Sequence, residues 1–72
     1  MESRDLKKLG HNIRLIRQKL GWTQVALAQR AQIHPVYVSY IENGSRNPCV
    51  SKILQVARAL KCRPAEIFRG IF

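Results

Sequence analysis

The sequence predicts an all-α fold of five helices. Apolar residues recur at steps of three and four, no stretch alternates as a half-buried strand does, and glycine or proline separates the periodic segments. A chain of 72 residues is long enough for one domain at most. We therefore expect a single domain over residues 1–72, with a small core.

The first helix is predicted from about Asp5 to Leu20, with Gly21 as its C-terminal cap. Its stripe of inward-facing residues comprises Leu6, Leu9, Ile13, Ile16 and Leu20. The second helix is predicted from Gln24 to about Ala31, because Thr23 is a good N-cap.

The third helix is predicted to begin at His34-Pro35, where His34 caps and proline's missing N–H costs nothing. It runs to Asn43, and Gly44 provides the left-handed stop. Val38 and Ile41 are its expected buried residues.

The fourth helix is predicted over Val50 to Leu60, and Arg63-Pro64 begins a fifth helix over residues 64–72. The inward face of the fourth helix is expected to contain Val50, Ile53, Leu54, Ala57 and Leu60.

The charge balance indicates the kind of partner. The chain has 13 Lys and Arg residues against 4 Asp and Glu residues, a formal net charge of +9. A compact, strongly cationic domain favours a polyanion, of which nucleic acid is the commonest. An anionic membrane surface fits less well, because the basic residues are spread over several helices.

Composition excludes several other classes. With 46% hydrophobic residues, the chain is not a disordered basic tail. No apolar run approaches the roughly 18 residues of a membrane span, and the first residues do not resemble a signal peptide. Two cysteines, Cys49 and Cys62, cannot form the disulfide framework of a small secreted domain. We therefore expect a cytoplasmic protein with no membrane partner.

The second and third predicted helices are short and separated by only a few residues, with small residues on the inner face of the second. This layout predicts a helix-turn-helix over about residues 23–43, in which the second helix of the motif enters the major groove of DNA.

Particular residues extend this pattern over roughly Leu9 to Phe68. They form three stretches: Arg17-x-x-x-Gly21-Trp22-Thr23-Gln24-x-x-Leu27-Ala28, Tyr37-Val38-Ser39-x-Ile41-Glu42-x-Gly44-x-Arg46-x-Pro48 and Ile53-x-x-x-Ala57-x-Ala59-Leu60. In these residues the chain resembles the Cro/phage-repressor (XRE) helix-turn-helix family. The resemblance implies a five-helix, lambda-repressor-like DNA-binding domain that regulates transcription, usually as a dimer. Phage-type repressors and restriction–modification controller proteins are both candidates within the family.

The chain departs from the family pattern at three positions. Gln32 stands where the family turn usually holds glycine, His34 where the cap is often Ser or Thr, and Cys49 where Ser usually follows Pro48. If position 32 requires a positive φ, glutamine there costs on the order of 1 kcal/mol.

We predict that DNA is contacted by the exposed side of the third helix, its cap, the start of the second helix and the following loop. These residues are Thr23, Gln24, His34, Pro35, Val36, Tyr37, Ser39, Tyr40, Asn43, Ser45 and Arg46. Val36 and Pro35 suit thymine methyl groups, whereas Arg46 suits phosphate. For Thr23 a capping role alone, and for Tyr37 and Tyr40 partial packing against a neighbouring helix, are alternatives.

The resemblance also assigns a structural role to two charged residues. In the family, the arginine at Arg17 pairs with the glutamate at Glu42, which ends the third helix. Gln24 is implied to contact phosphate and to brace the DNA-reading helix.

No combination of residues typical of an active site is visible. His11 and His34 lie far apart in the sequence, and two cysteines are too few for a zinc site. The glycines, including Gly10, are scattered as caps or turns and do not form a phosphate-binding loop. We expect no enzyme activity, no metal, no cofactor and no small-molecule ligand.

The C-terminal segment contains more apolar side chains than so small a core can bury. These residues are Ile67, Phe68, Ile71 and Phe72. They predict a homodimer surface, which would suit a palindromic operator. One alternative is that Ile71 and Phe72 fold back on their own domain. Another is an antitoxin-type interaction module whose C-terminal patch binds a different protein.

Overall fold

The computed structural model describes residues 1–72 and is entirely helical. Its helices are α1 (Ser3–Lys19), α2 (Gln24–Ala31), α3 (Pro35–Glu42), α4 (Val50–Leu60) and α5 (Pro64–Ile67). The predicted all-α, five-helix fold is confirmed. The prediction of a fifth helix over residues 64–72 is wrong, because α5 ends at Ile67 and the chain continues in turns.

Side chains and glycines set the helix ends as the sequence predicts. The hydroxyl of Thr23 accepts a hydrogen bond from the Ala26 N–H at 3.0 Å, and Nδ1 of His34 accepts one from the Val36 N–H at 3.1 Å. Gly44 follows α3 with a φ of 77°, in the left-handed region that favours glycine. These local contacts fix the entry into α2 and α3 and the exit from α3.

The core draws apolar side chains from all five helices. Its twelve buried members are Leu9, Ile13, Leu27, Ala28, Ala31, Val38, Ile41, Ile53, Val56, Ala57, Leu60 and Ile67. Two expected core residues are instead exposed: Leu20 by 45% and Val50 by 69%. Leu20 lies just past the end of α1, and Val50 is the first residue of α4. Each therefore stands at the end of its apolar stripe, where the neighbouring helices do not cover it.

A glycine inside α1 lets α3 approach closely. A Cβ atom on Gly10 would overlap the carbonyl oxygens of Ile41 and Glu42 at the end of α3. The prediction that Gly10 is a cap or a turn is therefore wrong. Gly10 lies inside α1, at the point where the backbones of α1 and α3 meet. This approach brings the end of α3 beside α1.

None of the five helices is both long enough and apolar enough to cross a bilayer.

Candidate nucleic-acid interface

The turn between α2 and α3 is tight and carries a strained residue. Gln32 adopts φ 59° and ψ 43°, in the left-handed region, which confirms that this position requires a positive φ. The next N–H, of Ile33, donates to the Ala28 carbonyl at 3.0 Å. Half-buried Ile33 packs against the core. The turn therefore fixes α3 relative to α2 despite the cost of placing glutamine there.

One face of α3 is turned to solvent. Val38 and Ile41 are buried, so Val36 and Tyr40, one helical turn apart, lie on the opposite side with Ser39 beside them. Val36 is 48% exposed and Tyr40 37% exposed, which is unusual for side chains of this size in so small a domain. The exposed face thus presents apolar surface together with two hydroxyl groups.

The cap of α3 has a donor free to face outward. Because Nδ1 of His34 accepts the Val36 N–H, the neutral imidazole carries its proton on Nε2. His34 is exposed, and Pro35 beside it is half-buried. The N-terminal end of α3 therefore offers one N–H donor and the apolar edge of a proline ring.

The loop after α3 is held by its own side chains. Oδ1 of Asn43 accepts the Ser45 N–H at 3.0 Å and also lies within hydrogen-bond distance of the Ser45 hydroxyl. The guanidinium of Arg46 lies over the Tyr40 ring, 4.9 Å from its centroid. These contacts position Arg46 at the edge of the exposed α3 face, with its N–H groups available.

A buried carboxylate joins three helices behind this face. Glu42 accepts hydrogen bonds from Nε of Arg17 at 2.7 Å and from Nη2 of Arg17 at 2.9 Å, a bidentate pair. Nε2 of Gln24 donates to the same carboxylate at 3.1 Å, and Nη1 of Arg17 donates to the Trp22 carbonyl at 2.7 Å. The structure thus brings Arg17 and Glu42 together as the resemblance implies, and it places Gln24 against the last residue of α3.

Sequence reasoning missed a further contact with this carboxylate. Nε of Arg14 lies 3.5 Å from Glu42, and the Arg14 side chain is 42% exposed. Arg14 and Arg17 share a carboxylate because they lie one turn apart on α1. Their spacing of three residues was the available signal, but it does not reveal the acidic partner.

The four C-terminal apolar residues are divided between the core and the surface. Ile67 is fully buried in the core, so its assignment to a dimer surface is wrong: α5 packs this side chain inward. Phe68 and Ile71 are half-buried against the core, whereas Phe72 is 99% exposed. Any surface here consists of Phe72 and the outer parts of Phe68 and Ile71.

Asn12 of α1 holds this C-terminal segment in place. Its Nδ2 donates to the Ile67 carbonyl at 2.7 Å and to the Arg69 carbonyl at 2.9 Å, and its side chain is almost entirely buried. Nothing in the local sequence around Asn12 indicates these acceptors, which lie more than fifty residues away along the chain.

The two cysteines have opposite environments. Cys49 is the exposed N-cap of α4, and hydrogen bonding, chiefly with the Ser51 hydroxyl at 3.1 Å, holds the pKa of its thiol below the usual value. Burial raises the pKa of the half-buried Cys62 thiol, and the charge of Glu66 raises it further. Both thiols are free.

Comparison with known proteins gives the family. A family model described as Helix-turn-helix matches residues 13–67. The fold and the site define a helix-turn-helix protein, and the chain belongs to this family, whose members are DNA-binding transcription regulators.

Restriction–modification controller proteins are among its relatives. The crystal structure of the controller protein C.AhdI from Aeromonas hydrophila superimposes with a TM-score of 0.88 at 37% identity, covering 90% of this chain and 98% of that one. The control protein C.BamHI of Bacillus amyloliquefaciens is 34% identical over 59 residues, 81% of this chain and 73% of that protein.

A repressor is similar as well. The P22 c2 repressor, solved in complex with a synthetic operator, superimposes with a TM-score of 0.78 at 31% identity, covering 86% of this chain and 94% of that one. The chain spans about half the length of some other curated relatives that it matches.

Proposed function

We propose that this protein regulates transcription by binding a short palindromic DNA operator as a homodimer. The observation that carries the proposal is the buried Glu42 carboxylate, which ties α1 and α2 to the end of α3. A helix held in this way presents its exposed face in one orientation, so little ordering is needed on binding.

Direct reading of bases is assigned to the exposed face of α3 and to its N-cap. Val36 and Pro35 supply the apolar contacts that recognise thymine methyl groups. Nε2 of His34 and the hydroxyls of Ser39 and Tyr40 can donate to base edges or phosphate oxygens. Because no arginine or glutamine lies on this face, much of the specificity is expected to come from DNA shape.

Phosphate contacts are assigned to donors that the fold leaves free. Nε2 of Gln24 has two protons and gives only one to Glu42, and the Thr23 hydroxyl accepts from Ala26 while keeping its own proton. Arg46 has its guanidinium available at the edge of the α3 face. The proposed phosphate contacts thus come from the start of α2 and from the loop after α3.

The remaining candidates take supporting roles in this proposal. Ser45 uses its N–H and its hydroxyl within the loop, so it orders Asn43 and leaves the Asn43 Nδ2 group for phosphate. Tyr37 is half-buried against the core, which favours packing over DNA contact.

Phe72, with the outer parts of Phe68 and Ile71, is the proposed homodimer surface. The rings of Phe68 and Phe72 lie 5.7 Å apart, centroid to centroid, so the exposed ring extends a surface that begins at the core. A two-fold dimer places two reading helices about 34 Å apart, one turn of DNA.

The test is selection from a random duplex pool at about 150 mM salt, where binding through phosphates alone is weakened. A symmetric site is expected, with half-sites about 10 base pairs apart. Val36→Ala should change the preferred bases, whereas Arg46→Ala should weaken binding to all sequences and reduce the salt slope by about one. Arg58→Ala removes an exposed cation on α4 and is the matched control.

The outcome that contradicts the proposal is a folded protein that enriches no site. Light scattering tests the homodimer separately: the protein should be dimeric, and Phe72→Ser should be monomeric. A monomeric parent protein that enriches no site would favour the second candidate, an antitoxin-type module, for which the exposed Phe72 ring is the supporting observation.

A further inference from the structure

A groove lies outside the proposed DNA-contact surface, between the C-terminal parts of α2 and α4 and the turn after α1. It has a volume of about 520 Å³ and is open to solvent on one side. Leu20, Trp22 and Leu60 supply its apolar wall, and Arg30, Arg58 and Lys61 supply positive charge. No proposed DNA contact uses these six residues.

One of these cations stacks on the apolar wall of the groove. The Arg30 guanidinium lies over the Trp22 ring, 4.2 Å from its centroid. Stacking covers one face of the guanidinium and leaves its N–H groups free at the edge, where they can form two parallel hydrogen bonds to a carboxylate. The apolar wall is also partly open, because Leu20 remains 45% exposed.

No acidic side chain neutralises the groove. Of the four acidic residues, Glu42 binds Arg17, Glu66 accepts the Arg63 N–H, and Glu2 and Asp5 lie at the start of α1. The C-terminal ends of α2 and α4 contribute roughly half a negative charge each, against three cationic side chains. The groove therefore keeps a net positive charge beside apolar surface.

We propose that this groove binds a small amphipathic monoanion, a carboxylate attached to an aromatic or medium-length aliphatic body. The volume lies within the range of about 300–1,000 Å³ typical of small-molecule sites. The apolar body would pack on Leu20, Trp22 and Leu60, while the carboxylate meets Arg30 or Arg58. Charge complementarity selects the anion, and the apolar wall favours it over inorganic ions.

Trp22 gives a direct measurement because it is the only tryptophan in the chain. We would titrate the protein with 4-phenylbutyrate and follow Trp22 fluorescence and its indole N–H resonance. The matched uncharged probe is 4-phenylbutyramide. We expect saturable binding of the acid, about tenfold tighter than that of the amide.

Charge-removing variants locate the site. Arg30→Gln and Arg58→Gln should each weaken 4-phenylbutyrate binding about fivefold or more, by loss of a charge-assisted hydrogen bond. Arg69→Gln, an exposed cation outside the groove, should leave the affinity unchanged. Arg30 and Arg58 are both exposed, so the variants are expected to fold, and circular dichroism verifies it.

The proposal is overturned if the acid shows no saturation, if the amide binds equally well, or if all three variants weaken binding alike. It is also overturned if an acidic, leucine-containing peptide binds at Trp22 while 4-phenylbutyrate does not, since the surface would then receive a protein partner. The titration contains no DNA, so its failure leaves the proposed regulatory function untouched.

Discussion

Two corners of the molecule each bury a polar side chain of α1 against a later helix, and they do so with different chemistry. At the α1–α3 corner, Arg17 and Glu42 form a bidentate ion pair that Gln24 joins. At the α1–α5 corner, Asn12 makes two hydrogen bonds to backbone carbonyls. A buried charge left without its partner costs more than a buried neutral group does.

The difference between an ion pair and neutral hydrogen bonds goes with a difference in the surface next to each corner. Behind the exposed face of α3, an ion pair fixes the helix that we propose reads DNA. At the C-terminal corner, α5 is only four residues long and the chain ends with Phe72 exposed. We propose that the first surface is preorganised for a DNA duplex, and that the second, held by neutral hydrogen bonds, packs against a second copy of the chain.

The largest effect is expected at the charged corner. Glu42→Ala leaves the Arg17 guanidinium, whose side chain is only 11% exposed, without its carboxylate. We expect a loss of about 3–5 kcal/mol in the free energy of unfolding. A domain of this size has only a few kcal/mol in total, so the variant should unfold before its specificity changes. Urea melts measure the loss, and Arg17→Ala should behave alike.

Glu2→Ala is the matched control, because it removes an exposed carboxylate from the same helix bundle. It should melt within about 0.5 kcal/mol of the parent protein. If Glu42→Ala also keeps the parent stability, the ion pair does not hold α3 and the proposed preorganisation of the reading helix fails.

A smaller effect is expected at the neutral corner. Asn12→Ala leaves the buried carbonyl of Ile67 without its donor, and we expect a loss of about 1–3 kcal/mol. Hydrogen exchange should show the backbone N–H groups of Phe68 and Ile71 opening more often. Gln18→Ala truncates an exposed side chain of α1 and is the control. Its free energy of unfolding and its hydrogen exchange at Phe68 and Ile71 should stay at the parent values. Equal loss of protection in α3 and at Phe68 would mean that the two corners open together.

Local signals in the sequence predicted one corner better than the other. Caps, periodicity and the short turn predicted α2, α3 and the exposed face of α3, and the family resemblance implied the Arg17–Glu42 pair. At the other corner, Ile67 and Phe72 are equally apolar, and only the packing of α5 decides that Ile67 is inside.

Contacts between distant residues explain the remaining differences. Asn12 is polar in sequence and buried only because it meets carbonyls of residues 67 and 69. The approach of α1 to α3 at Gly10 is likewise set by how these two helices pack. Periodicity describes one helix at a time, so it cannot indicate which face meets which neighbour.

The smallest expected change in stability tests whether backbone strain also differs between the α1–α3 corner and the α1–α5 corner. Gln32, in the turn before α3, and Lys61, in the turn before α5, have almost the same left-handed conformation, with φ values of 59° and 54°. Both side chains are exposed. Replacing either with glycine relieves the strain but adds freedom to the unfolded chain, for a net gain of about 0.5–1 kcal/mol. Thermal melts of Gln32→Gly and Lys61→Gly should therefore show equal increases.

Gln32→Ala is the control, since it shortens the side chain without relieving φ, and it should bring no gain. Equal gains at Gln32 and Lys61 would assign the difference between the two corners to their buried polar contacts alone. A gain at Lys61 without one at Gln32 would mean that the Gln32 side chain stabilises the helix-turn-helix turn, and the charged corner would then be only part of what holds α3 in place.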